Sequence, residues 1–436
     1  MKKGNKYFSL YRFKSKYDYF PIVLILIYLN FTYLLHLLLN DSASARGLIF
    51  MTIIFLSIII GYILPNSKQL SLNQKKLGLN TFWEKTSNVD KIIIISAIIT
   101  IVNSVNIILS FYPNLSEITY YLKNPGQAYI YTKSIRRNPD ILDESGGFGS
   151  IITIALTLLS ATKYIFLIFS FLYWKQLKIR TKFFSIVTLI IYIISSFLTG
   201  AMITIGAVVL SLIPVAIVNI KRKKNVINLP RKLSKRPKRI KILFAALVGI
   251  CVILFFISNR ISQENDLFEG IKVLGFYISH GYIGLDYCLE LPFETTYGFT
   301  SIRGISTMFV KYLGVPDLFQ NSYLVRNEMI NGYPALSVWS TIFPWLASDF
   351  SFYLLPIIMG YVSFQFSLLW NKTIRTGNPY GYLLLGQFFI FWFMIPANNQ
   401  VFHTLGNAAS FFLILFLYAK NKKFYIMQNK QEQQVT

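Results

Sequence analysis

Long apolar runs without a charge alternate with short polar segments over most of the chain. The first, FPIVLILIYLNFTYLLHLLLN (Phe20 to Asn40), contains no Asp, Glu, Lys or Arg. At 1.5 Å per residue, about twenty helical residues cross roughly 30 Å of hydrocarbon. The pattern predicts ten membrane-spanning helices over 20–39, 47–65, 91–112, 149–173, 183–199, 201–220, 242–258, 350–370, 382–397 and 402–419. An all-α polytopic membrane protein follows, because a helix satisfies its backbone polar groups within the lipid. The fifth and sixth spans meet in a tight turn at Leu198-Thr199-Gly200. No small-residue cleavage pattern follows the first run, so it reads as a retained span. The chain divides into a seven-helix membrane part (1–257), a large external loop (258–349) and a three-helix part with a tail (350–436).

Composition agrees: 54% of residues are hydrophobic and 17% aromatic. Charge then orients the spans. With the N-terminus inside, 32 of the 43 Lys and Arg fall on the cytoplasmic side, as the positive-inside rule requires. Fourteen of the 18 acids fall outside, so the net charge of +25 is concentrated on one face. The stretch KRKKNVINLPRKLSKRPKRIK (Lys221 to Lys241), with eleven basic residues, reads as a cytoplasmic anchor to anionic headgroups. No folded reader surrounds it, so nucleic acid is not an expected partner. Both termini are cytoplasmic in this arrangement. The external regions of note run from Tyr112 to Phe148 and from Ser258 to Asp349.

Several chemistries find no support. There is no Walker A sequence, HExxH, GxSxG or Cys/His cluster. The histidines are His36, His280 and His403, and the cysteines Cys251 and Cys288. Neither a zinc site nor a disulfide framework is expected. Asp41 is the only acid in the first external loop, which disfavours a metal-dependent lipid-linked sugar transferase that uses an acidic pair there.

In the large loop, Tyr277, His280, Gly284 and Tyr287 share one helical face. Phe268, Ile271, Leu274, Ile278 and Leu285 would pack against the bundle or the membrane, giving an amphipathic helix on the external surface. His280 sits there among aromatics, with Asp286 and Glu290 following. Arg303, Arg326, Arg136 and Arg137 bring guanidinium groups to the same side. A guanidinium matches phosphate oxygens bidentately. Plainer roles stand beside these: His280 as a packed interfacial residue, and each arginine as half of a loop salt bridge, Arg326 with Glu328 for instance. Lys163 lies mid-span, where a charge marks a functional site unless it snorkels or pairs.

Ten spans, the tight turn in SSFLTGAMIT, a basic cytoplasmic loop and one large late external loop resemble the O-antigen and capsule repeat-unit polymerases (Wzy type). The segment GYPALSVWSTIFPWLASDFSFYLLPIIMGY (Gly332 to Tyr361) is similar to that family's closing pattern, an Asp-aromatic or Asp-Phe-Gly step before a Gly-bearing helix. Here those positions are Asp349, Phe350 and Gly360, with Ser351 where Gly is common. An Arg often follows the small-residue turn in the family, whereas Gly200 is followed here by Ala201 and Met202.

The resemblance implies a GT-C-like glycosyltransferase in a bacterial cytoplasmic membrane, without metal or other cofactor. It would polymerise undecaprenyl-pyrophosphate-linked oligosaccharides at the outer face, beside a flippase and a chain-length regulator. In that scheme Arg303 and Arg326 clamp the pyrophosphate, with Arg136 or Arg137 assisting. His280 is the first choice for general base, and Asp286 or Glu290 the second. Rival readings are a flippase or other transporter of the same lipid-linked units, an O-antigen ligase, and a membrane scaffold without enzymatic activity.

Overall fold

The structure, a computed structural model, describes residues 19–39, 43–68, 89–137, 150–174, 176–199, 202–226, 275–276, 278–335 and 340–434. The seventh predicted span (242–258), most of the basic stretch, Cys251, Tyr277 and the residues 268–274 fall outside it. Among the described residues every regular element is helical.

Among the described residues, ten helices fall on nine of the predicted spans. They are α1 (Phe20–Leu39), α2 (Ala45–Lys68), α3 (Val89–Phe111), and, after two short helices α4 (Leu115–Lys123) and α5 (Pro125–Arg137), the pair α6 (Ser150–Leu158) and α7 (Thr162–Tyr173). Then come α8 (Ile179–Leu198) and α9 (Met202–Val226). The large loop contributes α10 (Gly281–Cys288), α11 (Arg303–Leu313), a 3-10 turn (Leu318–Asn321) and α12 (Tyr323–Asn331). The chain closes with α13 (Ile342–Thr376), α14 (Pro379–Phe393) and α15 (Leu405–Gln434). Five helices (α1, α2, α3, α8, α13) are long and apolar enough to cross a membrane, and α6 with α7, bent by 40°, makes a sixth if the pair is one span.

Two predicted elements differ in form. The fourth span is broken at 159–161, where Ser160 turns its hydroxyl to Ser410 of α15 at 2.9 Å. The eighth starts earlier than expected, because α13 already begins at Ile342 and changes direction at Ser351. The part of α13 beyond Ser351, which runs to Thr376, is by itself long enough to cross a bilayer core.

Small residues bring the helices together. A Cβ on Gly61 would overlap the Gly360 carbonyl of α13. Beside it Ser363 donates to the Ile58 carbonyl at 2.7 Å, and Ser367 to that of Tyr62 at 2.8 Å. Close approach at small residues and hydroxyl bonds between helices are what lipid-embedded packing favours. Buried aromatics, among them Trp370, Trp392, Phe366 and Phe389, fill the space between α13 and α14.

The segments that the charge rule places outside touch one another. The turn before α2 meets α10, the start of α11 meets the 394–404 segment, and Tyr112 donates to the Leu198 carbonyl at 2.7 Å. On the opposite side, Lys178 N–H donates to Asp90 at 3.3 Å. Lys163 stands in the first turn of α7, its ammonium 5.0 Å from the Tyr164 ring. Its neighbour Thr162 bonds Thr100, near the middle of α3, so the break lies at mid-depth.

Candidate functional site

Asp349 organises the junction between the large loop and α13. One carboxylate oxygen accepts the Gly298 N–H at 2.7 Å and the Thr296 hydroxyl, and the other accepts the Ser301 N–H at 2.7 Å. Tyr297 and Gly298 both take positive φ (51° and 91°), which curls their backbone around the anion. Two residues after Asp349, Ser351 sits at φ 61° and ψ 155°. That region is essentially glycine's, since a side chain there crowds the backbone. The Asp-Phe-Ser step therefore has a physical role: the carboxylate ties down the 296–301 turn, and residue 351 redirects the chain into the rest of α13.

That turn feeds α11, whose first residue is Arg303. Its guanidinium meets Asp317 bidentately (2.6 and 2.9 Å) and stacks over Phe319, 4.1 Å from the ring centre. The hydrogen bond and charge of Arg303 hold the Asp317 carboxyl below the usual carboxylate range. Arg326 donates to Glu294 at 3.0 Å and to the carbonyls of Asn321 and Pro292 at 3.1 and 2.9 Å, above the Tyr323 ring. The two arginines thus bracket one short segment, 317–323. Both are engaged within the chain, Arg326 with Glu294 in place of the expected Glu328. Arg136 and Arg137 close α5, which packs on α4 and α8; their side chains fall outside the described residues.

The groups expected to act as base are enclosed or paired. His280 is 2% exposed, stacked on Phe276, with Nδ1 3.1 Å from the Phe276 carbonyl. Asp286 is buried: Oδ2 lies 2.9 Å from His36 Nε2 and accepts the Ser44 N–H, while Oδ1 accepts the Ser44 hydroxyl at 2.8 Å. Ser44 in turn accepts the Gly47 N–H at 2.9 Å, so this network fastens the start of α2 to α10. Glu290 is exposed and paired with Arg46. The helix carrying these residues is packed into the molecule, with Tyr282, Leu285 and Cys288 buried, instead of lying on its surface. A helix with Gly281 and Gly284 against the Pro396 carbonyl and Ser340 can pack that closely, and the aromatic face gave no hint of it.

One group that the pattern left unassigned does lie open beside Arg303. His403 is exposed, in the turn ahead of α15, with its ring edge-on to Trp345 at 5.3 Å. Desolvation by the surrounding atoms and the Arg303 charge hold it below the ordinary histidine value of 6.5. Asn399 Nδ2 donates to the Ser301 carbonyl at 2.6 Å and Gly304 N–H to that of Phe402 at 2.8 Å, which ties His403 to the Asp349 turn. Trp345 Nε1 beside it, and elsewhere Ser301 Oγ, Ser340 Oγ, Thr341 Oγ1, Asn398 Oδ1 and Asn399 Oδ1, are buried without a hydrogen-bond partner among the described residues. A buried polar atom left unpaired costs about 1–3 kcal/mol. The legible signal was Asn398-Asn399-Gln400, three amides in an apolar stretch. Among the described residues no group of three or more His, Cys, Asp or Glu is placed to hold a metal ion.

No protein-family model, curated protein sequence or solved structure matches this chain. What fold and composition define is a class: an all-helical membrane protein with several transmembrane helices and a polar, arginine-bearing layer at one end.

Proposed function

We propose that this protein polymerises lipid-linked oligosaccharide repeat units at the outer face of a bacterial cytoplasmic membrane. The full reading has ten spans, cytoplasmic termini and the large loop outside. One observation carries it: of the matched positions Asp349, Phe350 and Gly360, the first and last hold defined contacts, and Ser351 takes the backbone conformation of the Gly it replaces. Asp349 ties down the turn before Arg303, residue 351 adopts a glycine conformation, and Gly360 meets α2 backbone to backbone. That is what would make such a pattern worth keeping in a family built on this plan.

The reaction is glycosyl transfer. An acceptor hydroxyl oxygen attacks the anomeric carbon of the sugar held by undecaprenyl pyrophosphate. The carbon–oxygen bond to pyrophosphate breaks, its electrons leave with the lipid pyrophosphate, and the hydroxyl proton goes to a base. In this reading His403, exposed beside Trp345, would be that base; help of this kind is worth about 10²–10⁴ in rate. Arg303 would release Asp317 and turn its fork to the leaving oxygens, where one well-placed donor supplies about 3–4 kcal/mol. Arg326 holds the same segment from its far side.

One observation favours a second reading, a transporter of the same lipids: Lys163 at a mid-depth helix break, a feature of transport pathways. Ligase activity would use the same site chemistry with another acceptor. Purified protein in liposomes, given lipid-linked repeat units, separates them. The polymerase reading expects a ladder of lengthening glycans. Translocation without a ladder, or transfer only to an added lipid A-core acceptor, would replace it.

A further inference from the structure

Helix α11 carries its hydrophobic pattern the wrong way round for a loop in water. Ile305, Met308, Phe309, Tyr312 and Leu313 fall at i, i+3, i+4, i+7 and i+8, one stripe of a helix. A helix resting on a protein turns such a stripe inward. Here Gly304 and Ser306, both in the first turn, are buried, and Ile305 and Met308 are half-buried. Phe309 and Tyr312 are exposed, and Leu313 is 69% exposed. The apolar run continues past the left-handed C-cap Gly314 into exposed Val315 and Pro316.

The first turn fixes where this stripe lies. Gly304 donates to the Phe402 carbonyl, and a Cβ at 304 would overlap Thr404, so α11 leaves the molecule from the start of α15. The Phe402 ring packs on Phe411 and Phe412 of α15. Phe412, Leu415 and Phe416 of that helix are themselves exposed, as lipid-facing residues are. The open stripe of α11 therefore starts where the apolar outer surface of α15 starts. The helix contains no acid, and its only charges are Arg303 and Lys311. Lys311 and Tyr312 are residue types that settle at a headgroup boundary.

We infer that α11 is an in-plane membrane helix: its stripe Met308–Phe309–Tyr312–Leu313 is seated in the outer leaflet, with Arg303 and Lys311 at phosphate level. The partner is the bilayer itself. This placement does not depend on the polymerase reading, but it gives Arg303 a depth: the guanidinium at the head of the helix is held where lipid phosphates lie.

The test uses the full chain in phosphatidylcholine–phosphatidylglycerol vesicles, with Cys251 replaced and buried Cys288 retained. Single nitroxide labels at 307, 309, 311 and 313 are compared for collision with oxygen, which concentrates in lipid, and with a nickel chelate, which stays in water. The expected result is an oxygen-to-nickel ratio several-fold higher at 309 and 313 than at 307 and 311. Equal ratios at all four positions would overturn the inference. So would shielding of 309 and 313 from both reagents, since that marks a protein partner or a second copy. A photoreactive phospholipid applied to the unsubstituted chain gives an independent reading. Adducts on residues 308–313 support the placement, and their absence there, with labelling of α1 or α15, overturns it.

Discussion

At the residue scale, Arg303 separates a structural role from a chemical one. If it serves only to pair with Asp317, removing either partner should cost the same. If it stabilises a leaving pyrophosphate, Arg303→Ala should abolish polymer while Asp317→Ala retains it, since the carboxylate competes with phosphate for the fork. Equal loss of the glycan ladder in the two variants, at equal protein level, would reduce Arg303 to a loop salt bridge. His403 gives a pH signature. Its folded-state value lies below 6.5, so the imidazole is neutral at pH 7 and charges only as pH falls. Folding stability tied to this group is likewise present at neutral pH and is lost as pH drops from about 6.5 toward the folded value. Polymer formation should fall on the acid side with a midpoint under 6.5, and His403→Gln should flatten that limb. An acid limb unchanged in the variant would assign the titration elsewhere. Ser351→Gly tests the backbone argument: relief of a conformation costing about 1–3 kcal/mol should raise the melting temperature. A lower melting temperature would mean that the Ser side chain contributes more than its backbone costs.

At the scale of elements, the contact of α2 with α13 depends on the absence of two side chains. Gly61→Ala places a methyl into the Gly360 carbonyl, so the helices must part and their hydroxyl-to-carbonyl bonds lengthen. Gly126→Ala in α5 is the matched control, because a Cβ there meets nothing within 4 Å. The first should cost about 1–3 kcal/mol, the range of overpacked cores, and the second nearly nothing. Comparable melting curves for the two would refute the close-approach account. Five of the predicted spans, or six with the bent pair, were legible from apolar length alone. The break in the fourth and the early start of α13 were not, since both are set by contacts with other helices: Ser160 with α15, and Asp349 with the 296–301 turn.

For the whole molecule, sidedness decides whether the proposed reaction can meet its substrate. Met329 is 74% exposed in α12 and in ordinary helical conformation, so Met329→Cys should react with an impermeant maleimide on intact spheroplasts. Buried Cys288 will not interfere. Reaction only after lysis would put the large loop in the cytoplasm and remove the outer-face proposal with it. The molecule as built is consistent in one respect that charge counting could not guarantee: the turn before α2, the large loop and the 394–404 segment lie against one another at a single end of the bundle.

Sequence alone determined the elements that depend on local composition. An uncharged apolar run of spanning length has one stable state in lipid, which requires no knowledge of neighbours. Sequence also singled out Asp349, Gly360 and Arg303, though not what they touch. The tertiary structure decided the rest, because it depends on residues far apart in the chain. His280 could be a base or a packed residue by sequence, and its contact with Phe276 gives it the packed role, while His36 and Ser44 enclose Asp286. His403 acquires its neighbours Trp345 and Arg303 only when three distant segments meet. Periodicity reports which face of a helix is apolar; only the fold shows how far that face is covered, and in α11 Phe309, Tyr312 and Leu313 are left open.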